Sequence, residues 1–187
     1  MTLTNLLVPT YRQMLETLAG LLDKAQKHSP DQAESLLTAR LAEDMLPLAA
    51  QVRFAAFQAQ EAVFRLRGQP VPEWLDAIAA EGRSAGDAPG TMADARARLD
   101  DALSFLADVS EKALDAGADH TVTIELPSGL TFDMIGEQYA RDWALPQFYF
   151  HVITAYAILR HTGLTIGKAD YVPHMFAYLR PGTTSAG

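Results

Sequence analysis

ALPQFYFHVITAYAILRHTGLTIGK, Ala144–Lys168, is the stretch whose reading decides the fold. Pro146 stands near its start. The fifteen residues from Gln147 to His161 carry Arg160 and two histidines as their only basic groups, and no acidic one. Gly163 closes the segment. A helix that is apolar nearly all round belongs at the centre of a bundle. This helix would carry His151 and Tyr156 into that centre and end in Arg160-His161-Thr162-Gly163.

Working outward, the other long segments also read as helices. Tyr11, Met14, Leu15, Leu18, Leu21, Leu22 and Ala25 fall at spacings of three and four. Thr4 is a candidate N-cap, Pro9 fits a first turn or a kink, and Ser29-Pro30-Asp31 ends the helix. A short piece, Gln32–Leu37, follows. The next helix starts with Glu43 and Asp44 ahead of Pro47 and runs to Arg67, before Gly68 and Pro70. Its stripe is Leu48, Val52, Ala55, Ala59, Ala62 and Leu66, broadened by Phe54, Phe57 and Phe64. Glu73–Ala80 makes a short helix, and EGRSAGDAPG reads as loop. Thr91, with Asp94 three residues on, caps a third long helix through Val109. Thr121–Leu126 and Leu130–Met134 alternate around Pro127-Ser128-Gly129, which is a hairpin. Gly136–Leu145 begins the final helix, kinked at Pro146.

The expectation is therefore an all-α protein: an up-down four-helix bundle with a small β-hairpin between the third and fourth long helices. Residues 1–172 read as one helical-bundle domain and 173–187 as a C-terminal tail, with PGTTSAG disordered.

Composition narrows the function. The chain has 187 residues, 49% of them hydrophobic and 20% charged, with a formal net charge of -8. A core of this size needs no disulfide or metal staple. There is no cysteine, which removes disulfides, Cys-ligated zinc, iron–sulfur clusters and thiol nucleophiles. The acidic balance and the lack of a Lys/Arg cluster argue against nucleic acid. No stretch reads as a membrane span, and the N-terminus lacks the pattern of a signal peptide. The cytoplasm is the default location.

Few residues point to chemistry. His151 lies at the edge of the stripe Phe148, Val152, Ala155 and Leu159, where a histidine serves as metal ligand, general base or structural hydrogen-bonder. The structural role is the default. His161 lies about 15 Å further along the axis and about 80° around it, so the two cannot chelate one ion on an intact helix. At the helix end a protonated His161 suits the dipole. Gln51 and Gln58 flank the Val52 stripe and could line a polar pocket with His151 and Tyr156. No Glu stands three residues before either histidine, which excludes the Glu-x-x-His element of di-iron bundles.

LLDKA (Leu21–Ala25), ARLAEDMLPLAAQV (Ala39–Val52) and LPQFYFHVITAYAILRHTGLTIGKADY (Leu145–Tyr171) resemble the bacterial "domain of unknown function nineteen-ninety-three" family, over Leu3 to Tyr171. The resemblance implies membership of the DinB/YfiT-like superfamily of four-helix bundles. Many of its members hold a divalent metal through three histidines, one from the second helix and two at i, i+4 from the last. Some are thiol-dependent transferases or isomerases, and many are dimers. Here His161-Thr162-Gly163 matches the end of the last-helix pattern His-x-x-x-His-x-Gly, which puts Ala157 at its first histidine. With His151 as the first histidine, Ala155 falls at the second. On the second helix the counterpart is Gln51.

The reading is thus an uncharacterised DinB-like protein without a complete metal site, binding a small molecule in the bundle interior at Gln51, His151 and Tyr156. No cofactor is expected, and a two-fold homodimer is. The alternative is a divalent-metal-dependent enzyme, a thiol transferase, isomerase or hydrolase, with His151 or His161 on a weakly held ion.

Overall fold

A computed structural model describes residues 1–28 and 30–182. Ser29 and the last five residues of the expected disordered tail lie outside the described residues. The protein is mostly helical: α1 (Leu3–His28), α2 (Ala33–Leu36), α3 (Leu48–Leu66), α4 (Glu73–Ser84), α5 (Met92–Ala107), a short turn α6 (Gly136–Gln138), α7 (Leu145–His161) and α8 (Lys168–Tyr171). Between α5 and α6 lie strands β1 (Thr121–Glu125) and β2 (Thr131–Ile135), paired antiparallel with Thr121 opposite Ile135 and Glu125 opposite Thr131. Gly129, at φ +85°, makes the turn. β1 buries Val122 and Ile124 on the core, while Phe132 of β2 stays exposed.

Helix ends are held from far along the chain. The Asp115 carboxylate accepts from the Thr4 backbone N–H at 2.9 Å and from the Thr4 hydroxyl at 2.7 Å. Thr4 therefore lies inside α1 rather than serving as its N-cap, and a carboxylate from far along the chain caps the helix instead. Thr91 and Asp94 form a reciprocal capping box on α5. Glu34 also accepts from the Met92 N–H at 2.9 Å. Pro47 is the N-cap of α3, so Glu43 and Asp44 stand in the preceding turn rather than in its first turn. Ahead of α7 the chain makes a turn of π-helix, Tyr139–Ala144. The Pro146 ring would clash with a carbonyl four residues back and supplies no N–H, and the wider turn accommodates both.

Two expectations about packing are corrected. In an up-down bundle the long helices that follow one another are neighbours. Here α3 packs against α5 and α7, α1 packs against α5 and α7, and α1 touches α3 only sparsely. The connections from α1 to α3 and from α5 to α7 are long, and each joins two helices in sparse contact instead of turning back as a short hairpin. The second correction concerns which helix is central. α7 leaves Phe150 and Ile153 half-exposed. α3 is buried at every residue except Phe54, Phe64 and Arg65, because α4 covers the face that α5 and α7 leave open. Its six alanines let neighbours approach closely on all sides.

At the far end of α3 the backbone itself is packed. A Cβ on Gly117 would lie 1.9 Å from the Leu66 carbonyl oxygen, and one on Gly136 would lie 2.0 Å from the Gly117 carbonyl oxygen. Neither contact is relieved by a side-chain rotation. Gly117→Ala is expected to cost about 3 kcal/mol in urea denaturation. Gly20→Ala, on the exposed side of α1 with nothing within 4 Å of the added carbon, is expected to be stabilising by about 0.5–1 kcal/mol. Equal effects from the two substitutions would contradict this packing.

Candidate functional site

The site begins with a polar residue on the buried helix. Gln51 lies one turn into α3 and is 1% exposed. Its Nε2 donates to the Leu46 carbonyl at 3.0 Å. A carbonyl only accepts, so the amide orientation is settled, and Oε1 points away as an acceptor. The His151 Nδ1 lies 2.8 Å from that oxygen. An acceptor there requires a proton on Nδ1, so the neutral ring is the Nδ1–H tautomer and donates to Gln51. Nε2 is left as an unprotonated lone pair, and it takes no hydrogen bond from the described residues.

Rings enclose the pair. Phe54 stacks on the imidazole with centroids 5.1 Å apart and planes at 21°, and Phe150 meets it edge-on at 5.4 Å. Phe54 is held in turn by α4, where a Cβ on Gly82 would sit 2.9 Å from the phenyl ring. α4 runs on through Glu81–Ser84, which composition marks as loop, and within it Gly82 leaves the room that the Phe54 ring fills. With no carboxylate against the ring, burial alone acts on its proton affinity. The His151 pKa falls to about 4, and the ring is neutral at pH 7.

The other expected residues are placed elsewhere. Tyr156 lies on another face of α7, against the Tyr171 ring at 5.6 Å, and with Ile153, Lys168 and Tyr171 lines a cleft on the outside. Gln51 and His151 are therefore brought together and Tyr156 is not. His161 is exposed at the end of α7. Gln58 is buried, and its Oε1 has no partner.

The donor set does not fit a divalent metal. Nδ1 of His151 and Oε1 of Gln51 are spent on each other. Ala155 stands one turn on from His151. Among the described residues no three His, Cys, Asp or Glu side chains converge where an ion could be held. One imidazole Nε2 remains, which is a hydrogen-bond acceptor and too little for a chelate.

Sequence reasoning singled out both members of the pair but not what closes over them. Phe54 reads as core breadth, and its role follows only from Gly82. The Arg53–Glu81–Arg98 network was also missed. The Arg53 Nε lies 3.5 Å from Glu81, and Arg98 holds Glu81 with two bonds of 2.6 and 3.0 Å. The signal available was an arginine at position 53, on the same helix as the apolar stripe Leu48, Val52, Ala55 and Ala59.

The chain matches the model of a family described as Domain of unknown function (DUF1993) over residues 3–172. It is also similar to a crystal structure of a DinB family member protein from Shewanella denitrificans. The two are 32% identical, with a TM-score of 0.74, over 97% of this chain and 95% of that one. No curated protein matches the chain. Among the described residues no helix is long and apolar enough to cross a membrane.

The buried neutral ring sets a pH dependence. The folded pKa of about 4 lies below the ordinary 6.5, so between these values the unfolded chain binds the extra proton. The contribution of His151 to stability is complete above pH 6.5. It declines as pH falls to about 4, by on the order of 3 kcal/mol in total. His151→Phe removes this titration while leaving Gln51 Oε1 unpaired. It should therefore cost about 1–3 kcal/mol at pH 7, and the loss should shrink towards pH 4. Urea midpoints of the two proteins from pH 4 to 8 read this. A constant difference would place the ring in solvent.

Proposed function

The chain belongs to the DUF1993 family, and on that footing we propose that it is a DinB-like helical-bundle protein that binds a small molecule in its interior through the His151 Nε2 lone pair, without a complete metal site. The observation that carries this reading is the Gln51–His151 hydrogen bond. It joins the two helices from which metal ligands would come, and it consumes a donor atom of each residue. What it leaves is a neutral, partly desolvated acceptor set among aromatic rings. Such an atom recognises an N–H or O–H donor with an apolar body, and Phe54 and Phe150 are the rings that such a body would contact.

The match over residues 3–172 supports one domain over 1–172, with a tail beyond. The lack of cysteine supports a cytoplasmic setting. Two copies associate in this reading, because α7 and the C-terminal segment leave Phe150, Ile153, Met175 and Phe176 half-exposed. The resemblance of the last-helix motif to metal-binding DinB/YfiT-like bundles supplies a second reading, a divalent-metal-dependent enzyme with His151 or His161 on a weakly held ion.

Elemental analysis and thermal shift separate these readings. Purified protein is expected to carry no stoichiometric Mn, Ni or Zn. Phenol, a small O–H donor, should raise the Tm of the parent and not of His151→Phe. Stoichiometric metal that is lost in the His151→Ala variant would overturn the proposal in favour of the enzyme. Equal phenol shifts in both proteins, or none, would remove the small-molecule reading. Light scattering of the same sample should give twice the 20.4 kDa chain mass, and the monomer mass would contradict association.

A further inference from the structure

Away from the His151 pair, α4 and α5 both pack on α3 and make only sparse contact with each other. Between them lies a cleft of about 470 Å³, with α3 as its floor. The floor residue is Gln60, which is 1% exposed. Its Nε2 donates to the Ala56 carbonyl at 2.9 Å, which again settles the amide. Oε1 is the remaining atom, an acceptor in a buried side chain that lines the cleft and takes no hydrogen bond from the described residues.

The walls are aromatic and acidic. Trp74 of α4 is 49% exposed, although its ring meets Phe105 at 6.2 Å and Phe64 at 6.1 Å. Glu81 and Asp101 flank the cleft. Its one cation, Arg98, is already engaged by both, with a paired contact to Glu81 and a 3.7 Å approach to Asp101. Arg98 also holds the Glu81 carboxyl below the usual carboxylate range, so Glu81 is ionised at neutral pH. Arg53 approaches the same carboxylate from the adjoining cleft, its Nε 3.5 Å from Glu81, so Asp101 is the carboxylate with the freer oxygens. The unfilled functions of the cleft are thus an amide acceptor, spare carboxylate lone pairs and aromatic faces, on a protein of net charge -8. An anion would meet carboxylates and an arginine already satisfied. A cation meets acceptors and π faces.

We propose that the groove between α4 and α5 binds an organic cation with a flat apolar body, the body lying on Trp74 and Phe105 and the ammonium group on Gln60 Oε1 and the Asp101 carboxylate. The site is separate from the His151 pair, and neither depends on the other.

Benzylammonium is the probe, titrated calorimetrically into the full chain at pH 7 and low salt. One saturable site is expected, weakened about five- to tenfold in Trp74→Ala and in Asp101→Asn. Benzyl alcohol and phenylacetate, which share the ring without the cation, should bind at least about tenfold more weakly. Trp74 and Asp101 are solvent-facing, and unchanged thermal unfolding of the variants confirms that they fold. The proposal is overturned by no saturable binding, by benzyl alcohol binding as tightly as the amine, or by full affinity in both variants.

Discussion

Everything in this molecule is arranged around a helix that has no solvent face. α3 is covered chiefly by α4, α5 and α7. It nevertheless carries Gln51, Arg53, Gln58, Gln60 and Glu61 in buried positions. A buried polar group without a partner costs on the order of 1–3 kcal/mol, so each of these side chains constrains what is packed over it. Arg53 donates back to the Ala49 carbonyl and faces Glu81, Gln60 returns to the Ala56 carbonyl, and Glu61 pairs with Arg65 at 2.7 Å. Burial raises the Glu61 pKa even against that arginine. Among the described residues, the bond between Gln51 and His151 is the hydrogen bond that ties α3 to α7 side chain to side chain.

That bond also decides the chemistry of the centre. Because Leu46 fixes the amide and the amide fixes the imidazole tautomer, the pair is a chain of single-role donors and acceptors ending in one lone pair. A metal site needs several such atoms converging, and here they face each other. The aromatic cover completes the change. Phe54 lies flat on the ring because Gly82 admits it, so α4, the satellite helix with its own small cluster of Leu75, Ile78 and Ala79 against Phe57, shapes the central site from outside.

The sequence makes the helices, the hairpin and the Thr91 capping box legible, since each rests on local periodicity or a short motif. It also picks out Gln51 and His151, a polar residue and an ionisable one on apolar stripes. The identity of the central helix was not legible. Apolar residues all around α7 point to the middle, yet Phe150 and Ile153 face solvent, while the alanine-rich and more polar α3 is enclosed. Residue size decided this more than hydrophobicity, because alanine permits close approach on every side. Tyr156 was misplaced for a related reason: on a helix with no polar face, register alone does not say which side points inward. The caps from Asp115 and Glu34 and the glycine contacts at Leu66 join residues far apart in the chain, which no local pattern encodes.

The central claim is that His151 is a neutral imidazole protonated on Nδ1 and bonded to Gln51. Nitrogen-15 NMR of the histidine ring, read through the two- and three-bond couplings to its carbon-bound protons, measures this directly. The account predicts a protonated Nδ1 and a bare Nε2 at pH 7, a pKa of about 4, and loss of the fixed tautomer in Gln51→Leu. A ring protonated on Nε2, one that titrates near 6.5, or one whose nitrogen shifts move with stoichiometric zinc would contradict it.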